Sequence, residues 1–180
     1  MTRIKILSRD DMNEEQGTLY DSFVADNKPH AGPYWAYIRH PELMRLCSDV
    51  GDWFRGSALS GRERQIAVLT VVRYWDANYP WAVQVRASLA VGVDQDIVDA
   101  INERRDPGLT DPREMMAHEI ATQLTGSHRL ADETYAEAMT LFGEEDFVAL
   151  VGVIGFFGMV STTANAIDAT PPDEAPARLV

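Results

Sequence analysis

The 180 residues suffice for one domain with an ordinary buried core. With 28 acidic against 16 basic residues the net charge is −12, a field that repels phosphate backbones and anionic membrane surfaces and so argues against nucleic-acid or membrane partners. A single cysteine, Cys47, excludes an intramolecular disulfide and any CxxC dithiol, which fits a reducing, cytoplasmic setting.

The start of the chain, Met1-Thr2-Arg3-Ile4-Lys5, soon meets Arg9, Asp10 and Asp11 and lacks the apolar run of a leader peptide. A first helix is predicted over about residues 11 to 25, and the loop Lys28 to Pro33 separates it from a second that begins near His40-Pro41, with Pro41 in the first turn. Ser60 precedes Glu63 by three residues, the spacing of a capping box, and opens a largely buried helix over about 61 to 76 carrying Ile66, Leu69, Val72 and Trp75. Pro80 is placed at the first position of the next helix, which runs to Val91 with Gly92 in the left-handed stop position, so the two make a tight helical hairpin.

Asp94 is a cap for a short helix through Ile101, and Asp111-Pro112-Arg113-Glu114 supplies cap, first-turn proline and acidic third position for a helix ending near Gly126. A helix over Ala131 to Phe142 stops at Gly143, and a final one spans about Glu145 to Ala166. Its apolar stretch Phe147 to Val160, 14 residues with three glycines, falls short of the roughly 20 needed to cross a bilayer and reads as a buried or subunit-interface helix. Gly152, Gly155 and Gly158 on that helix are expected to admit a close helix neighbour. Residues 1–170 form the single domain and 171–180, with three prolines nearby, a C-terminal tail.

Several segments taken in order carry a resemblance: Ala31-Gly32-Pro33, Arg39-His40-Pro41-Glu42-Leu43, Leu59 to Leu69, Tyr79-Pro80-Trp81-Ala82-Val83-Gln84, Ala90-Val91-Gly92-Val93, His118 to Leu124 and Leu141-Phe142-Gly143. Together they resemble the carboxymuconolactone decarboxylase and alkylhydroperoxidase (AhpD)-like family. The resemblance implies an all-α, AhpD-like helical bundle with a pocket at the helix hairpin, assembled as a homo-oligomeric trimer or hexamer. Such proteins draw a proton relay from the hairpin: a glutamate on its first helix, a glutamate or cysteine at the start of its second, and a histidine one turn later. Here those positions fall on Gln65, Pro80 and Gln84. Amides and proline exchange no protons, so thiol peroxidase chemistry is excluded and decarboxylation by that relay is disfavoured.

Candidate pocket residues are Gln65 and Gln84, as facing amides, together with Tyr79 and Trp81 at the turn, whose aromatic area suits a flat ligand unless it is simply core. His118 is the candidate replacement for the lost imidazole, against its reading as a packing residue. Arg62, Arg64, Arg73 and Arg86 bring positive charge to the hairpin, and any that faces the cavity could hold a carboxylate. His30, His40 and His128 lack ligand spacing, so neither metal nor other cofactor is expected. Two functions remain: a divergent enzyme acting on a small lactone or carbonyl compound, and a catalytically silent small-ligand-binding or assembly protein.

Overall fold

The computed structural model describes residues 2–172 and 178–180, and among them every regular element is helical. The helices are α1 (Glu14–Ala25), α2 (Tyr34–Tyr37), α3 (Pro41–Arg55), α4 (Gly61–Tyr74), α5 (Asn78–Ala90), α6 (Gln95–Asn102), α7 (Pro112–Gly126) and α8 (Asp132–Ala166). The expected all-α architecture is therefore the observed one.

Helix α4 is the axis of the bundle, flanked by α5, α6, α7 and α8. Every residue from Gln65 to Arg73 is buried, so the helix is enclosed on all sides. Ile66, Leu69 and Val72 pack there with Trp81 and Val85 of α5, Ile120 of α7, and Leu150 and Val153 of α8. Each such side chain stabilises the fold by about 1.5–3 kcal/mol through removal of apolar area from water. A smaller cluster of Phe23, Tyr34, Tyr37 and Met44 joins α1, α2 and α3.

Local signals placed most boundaries. The Ser60–Glu63 capping box forms in both directions, and Asp111 accepts from the amides of Arg113 and Glu114. Gly92 takes φ +84 after α5, with the Val93 amide bonded to the Ser88 carbonyl at 3.0 Å and the Gly92 amide to that of Leu89 at 3.1 Å, which closes the carboxyl end of the helix. Gly143 interrupts α8 at φ 68, ψ 179, a backbone region open essentially to glycine alone, so the two-helix reading around this residue holds.

Other expectations need correction. Helix α1 starts at Glu14, where Asn13 and Gln16 form a second capping box, and Arg9–Asp11 is a short 3-10 turn. The four-residue α2 follows the expected Lys28–Pro33 loop, in a stretch before Pro41 where no element was predicted. Pro80 is the third residue of α5, which is tolerated because the first four amides of a helix have no internal acceptor. Asp94 precedes α6 but caps nothing with its side chain, which lies 3.4 Å from Arg62. Within this chain the glycine stripe is met closely at one end only: a methyl group at Gly152 would meet the Phe54 ring at 3.0 Å, while at Gly155 it would meet nothing.

By length and composition α8 could cross a bilayer, yet within this fold it packs against α3, α4, α5 and α7. The expected tail is also not loose where it is described; residues 173–177 lie outside the described residues. The Asn102 amide donates to the Arg178 carbonyl at 2.9 Å and accepts from the Val180 amide at 3.4 Å, while Arg73 donates to the Val180 carbonyl at 2.9 Å. Leu179 packs against the main core.

Candidate functional site

The turn between α4 and α5 sets the site. Asp76 takes a left-handed φ of 46, and the chain re-enters a helix at Asn78, which brings the α5 amino end against the Lys28–Pro33 loop. There Gly32, itself at φ +64, lies so close to the Tyr79 ring that a Cβ would collide with it. Beside this contact opens a cavity of about 780 Å³, walled by the loop, the end of α3, one side of α4, α5 and Phe156, Phe157 and Val160 of α8. That volume lies in the range of small-molecule sites. A second groove, of about 890 Å³, runs between α1 and α3 past Glu14, Glu15, Glu42 and Arg45 and is lined by none of the candidate pocket or catalytic residues.

Gln65, Tyr79 and Gln84 all line the hairpin cavity, and so does Pro80. The Gln65 amide donates to the Gln84 carbonyl oxygen at 3.3 Å, so two of the three relay positions touch. Tyr79 stacks edge-on against Trp35, and burial pushes its hydroxyl up from the usual phenol value.

Trp81 and His118 do not line the cavity. Trp81 is fully buried in the main core, where its indole N–H finds no acceptor among the described residues, so the reading of it as a ligand contact is corrected to packing. His118 lies across α4 from the cavity, with its Nδ1 2.8 Å from the Thr70 hydroxyl. Thr70 gives its own proton to the Ile66 carbonyl, so the imidazole donates to Thr70. Burial holds His118 below the ordinary imidazole value, against the pull of Glu119 and Asp106. It is a neutral, packed histidine with no access to this cavity.

Of the four hairpin arginines, two are structural. Arg62 pairs with Glu114 at 2.6 Å and donates to the Gly92 carbonyl; Arg73 pairs with Asp76 and donates to the Asn102 carbonyl at 2.6 Å. Arg64 and Arg86 line the cavity, together with Lys28 and Arg55. Lys28 and Arg55 share the carboxylate of Asp52. Among the described residues Arg64 meets only the Phe54 carbonyl, at 3.4 Å, and burial and the nearby Arg55 lower its proton affinity. Among the described residues no aspartate or glutamate lines the cavity, in a chain of net charge −12.

Two lining residues had no signal in the sequence. His30 donates from Nδ1 to the Lys28 carbonyl at 2.8 Å, which leaves Nε2 as the basic nitrogen of its neutral form. Tyr34 opens α2; it is only 8% exposed, and its hydroxyl has no hydrogen bond among the described residues. Neither position is periodic with the hairpin, so only folding brings them there. Among the described residues no three His, Cys, Asp or Glu side chains converge as metal ligands would.

No protein-family profile matches the sequence, and no curated protein matches it. Among solved structures the chain is similar to an uncharacterized peroxidase-related protein from Ralstonia eutropha, described as an alkylhydroperoxidase AhpD core, with 14% identity and a TM-score of 0.77 over 96% of this chain and 93% of that one. It is likewise similar to an uncharacterized peroxidase-related protein from Silicibacter sp., with 18% identity and a TM-score of 0.79 over 99% of this chain and 96% of that one. Over nearly its whole length the chain thus has the fold of the AhpD core, the AhpD-like helical fold that its sequence resemblance implies.

Proposed function

We propose that this chain is a small-molecule-binding protein built on the AhpD-like fold, with the hairpin cavity as its binding site and without the family's proton relay. The observation that carries the reading is the identity of the cavity wall where a relay would stand: Gln65, Pro80 and Gln84 line a space of about 780 Å³ that, among the described residues, no carboxylate or thiol lines. An amide pair can orient a carbonyl or hydroxyl group but cannot take and return a proton. Peroxide reduction through thiols has no residues to run on.

The test is equilibrium binding of a neutral aromatic probe, 2-naphthamide, to the wild-type chain and to Ala87→Trp, which places an indole in the cavity wall. Saturable one-to-one binding that the variant abolishes is expected, with the probe recovered chemically unchanged. Binding that survives Ala87→Trp would put the ligand elsewhere and remove the proposal.

One observation favours a second reading as an enzyme on a small carbonyl or lactone compound. His30 lines the cavity on the loop opposite the lost relay, with Nδ1 committed to the Lys28 carbonyl and Nε2 left as the acceptor nitrogen of its neutral form. Turnover of an enol-lactone acid that disappears in His30→Gln would establish that reading over the first. We also propose self-association: Leu43, Leu46, Val50 and Trp53 recur along one side of α3 at 40–60% exposure, a stripe suited to a subunit contact. Light scattering that shows a monomer at micromolar concentration would reject it.

A further inference from the structure

We infer that the ligand of the hairpin cavity is a carboxylic acid with an apolar body, its carboxylate held by Arg64; this rests on the cavity being the binding site. The cavity is unbalanced in its hydrogen-bonding groups. Its cationic lining residues supply donors only, while among the described residues no carboxylate lines it. Lys28 and Arg55 at its edge are matched by Asp52, but no carboxylate among the described residues lies within ion-pairing distance of Arg64. A guanidinium half-buried in this way is costly unless an anion completes it, since its five donors meet one carbonyl at 3.4 Å.

The second observation is independent of charge. Tyr34 is buried to more than nine-tenths, lines the same cavity, and leaves its hydroxyl without a partner among the described residues. The hydroxyl is not sealed in the core but open to this space, so an acceptor on a ligand can meet it in place of water. Arg64 and Tyr34 therefore ask for the same chemistry. The rest of the wall, with Phe156, Phe157 and Val68, asks for an apolar body. A carboxylate on an aromatic or aliphatic frame meets both demands, whereas an inorganic anion meets only the first.

The experiment compares 2-naphthoate with its neutral isostere 2-naphthamide on the full chain. Wild type is expected to bind the acid roughly tenfold more tightly, the order expected of charge-assisted hydrogen bonds. Arg64→Gln should bring the ratio of the two affinities close to one, and Arg64→Lys should restore part of the preference. Equal binding of acid and amide by wild type overturns the carboxylate inference and leaves the cavity reading standing; binding of neither overturns both. A preference for the acid that persists in Arg64→Gln removes Arg64 from the role. If Arg64→Gln fails to fold, the wild-type comparison and Arg64→Lys still decide.

Discussion

On the side of α4 turned to α7, each polar group meets its complement. Glu63 receives Arg113 at 2.7 Å, Thr70 receives His118 at 2.8 Å, and next to them Arg62 pairs with Glu114. On the other side, which carries Arg64, Gln65 and Val68 to the cavity, the guanidinium has one distant carbonyl and the tyrosine hydroxyls that share the space have no hydrogen-bond partner among the described residues. The same helix thus has a finished face and an unfinished one. Matched groups fix where α7 and the bend of α8 lie; unmatched groups are what a ligand can supply.

This contrast predicts unequal responses to mutation. The largest belongs to the finished face: Glu63→Ala should destabilise the fold by about 2–3 kcal/mol in urea unfolding, because it removes charge-assisted hydrogen bonds from Arg113, which keeps Asp146 and the Leu141 carbonyl, and with them half of the Ser60 capping box. A loss under about 1 kcal/mol would mean the pair is screened like a surface ion pair. Gly143→Ala follows, at about 2 kcal/mol, from backbone strain alone, since a methyl group there meets nothing within 4 Å.

Gly155→Ala, on the helix that walls the cavity, should stabilise by roughly 0.5–1 kcal/mol, because its added methyl also meets nothing and alanine is the better helix former. Destabilisation would place another helix against that face. On the unfinished side Tyr34→Phe should change stability by less than about 0.5 kcal/mol, as no hydrogen bond is lost. A larger loss would show that the hydroxyl already has a partner.

His118 sharpens the contrast through pH. Its folded-state proton affinity lies below the ordinary value near 6.5, so the unfolded chain binds more protons, and stability present above that pH is lost as pH falls below it. Melting temperature should therefore drop between pH 7 and pH 5, and drop less in His118→Gln. An identical decline in both would assign it to other groups.

Features that act within a few residues were legible in the sequence. The capping box at Ser60, the side-chain cap at Asp111 and the glycines at 92 and 143 need only local geometry, and they fixed the hairpin and the bend. The contact of Gln65 with Gln84 was legible through the family resemblance. What failed was the choice between neighbouring lanes of one helix. Trp81 and Gln84 are three residues apart, yet the boundary between core and cavity runs between them, and both sides of that boundary are apolar. His118 failed for a related reason: nothing on α7 says which side of α4 it meets. His30 and Tyr34 reach the wall through a loop and a single helical turn, elements without a period to read.

The hold of Asn102 and Arg73 on residues 178–180 has a consequence of its own. What these side chains recognise at 178 and 180 is main-chain N–H and oxygen, so the grip is blind to which side chain stands there; only at 179, where leucine reaches the core, does identity matter. Exchanging Arg178 or Val180 for another residue should leave the strap fastened. Replacing Leu179 with serine, or Asn102 with leucine, should undo it.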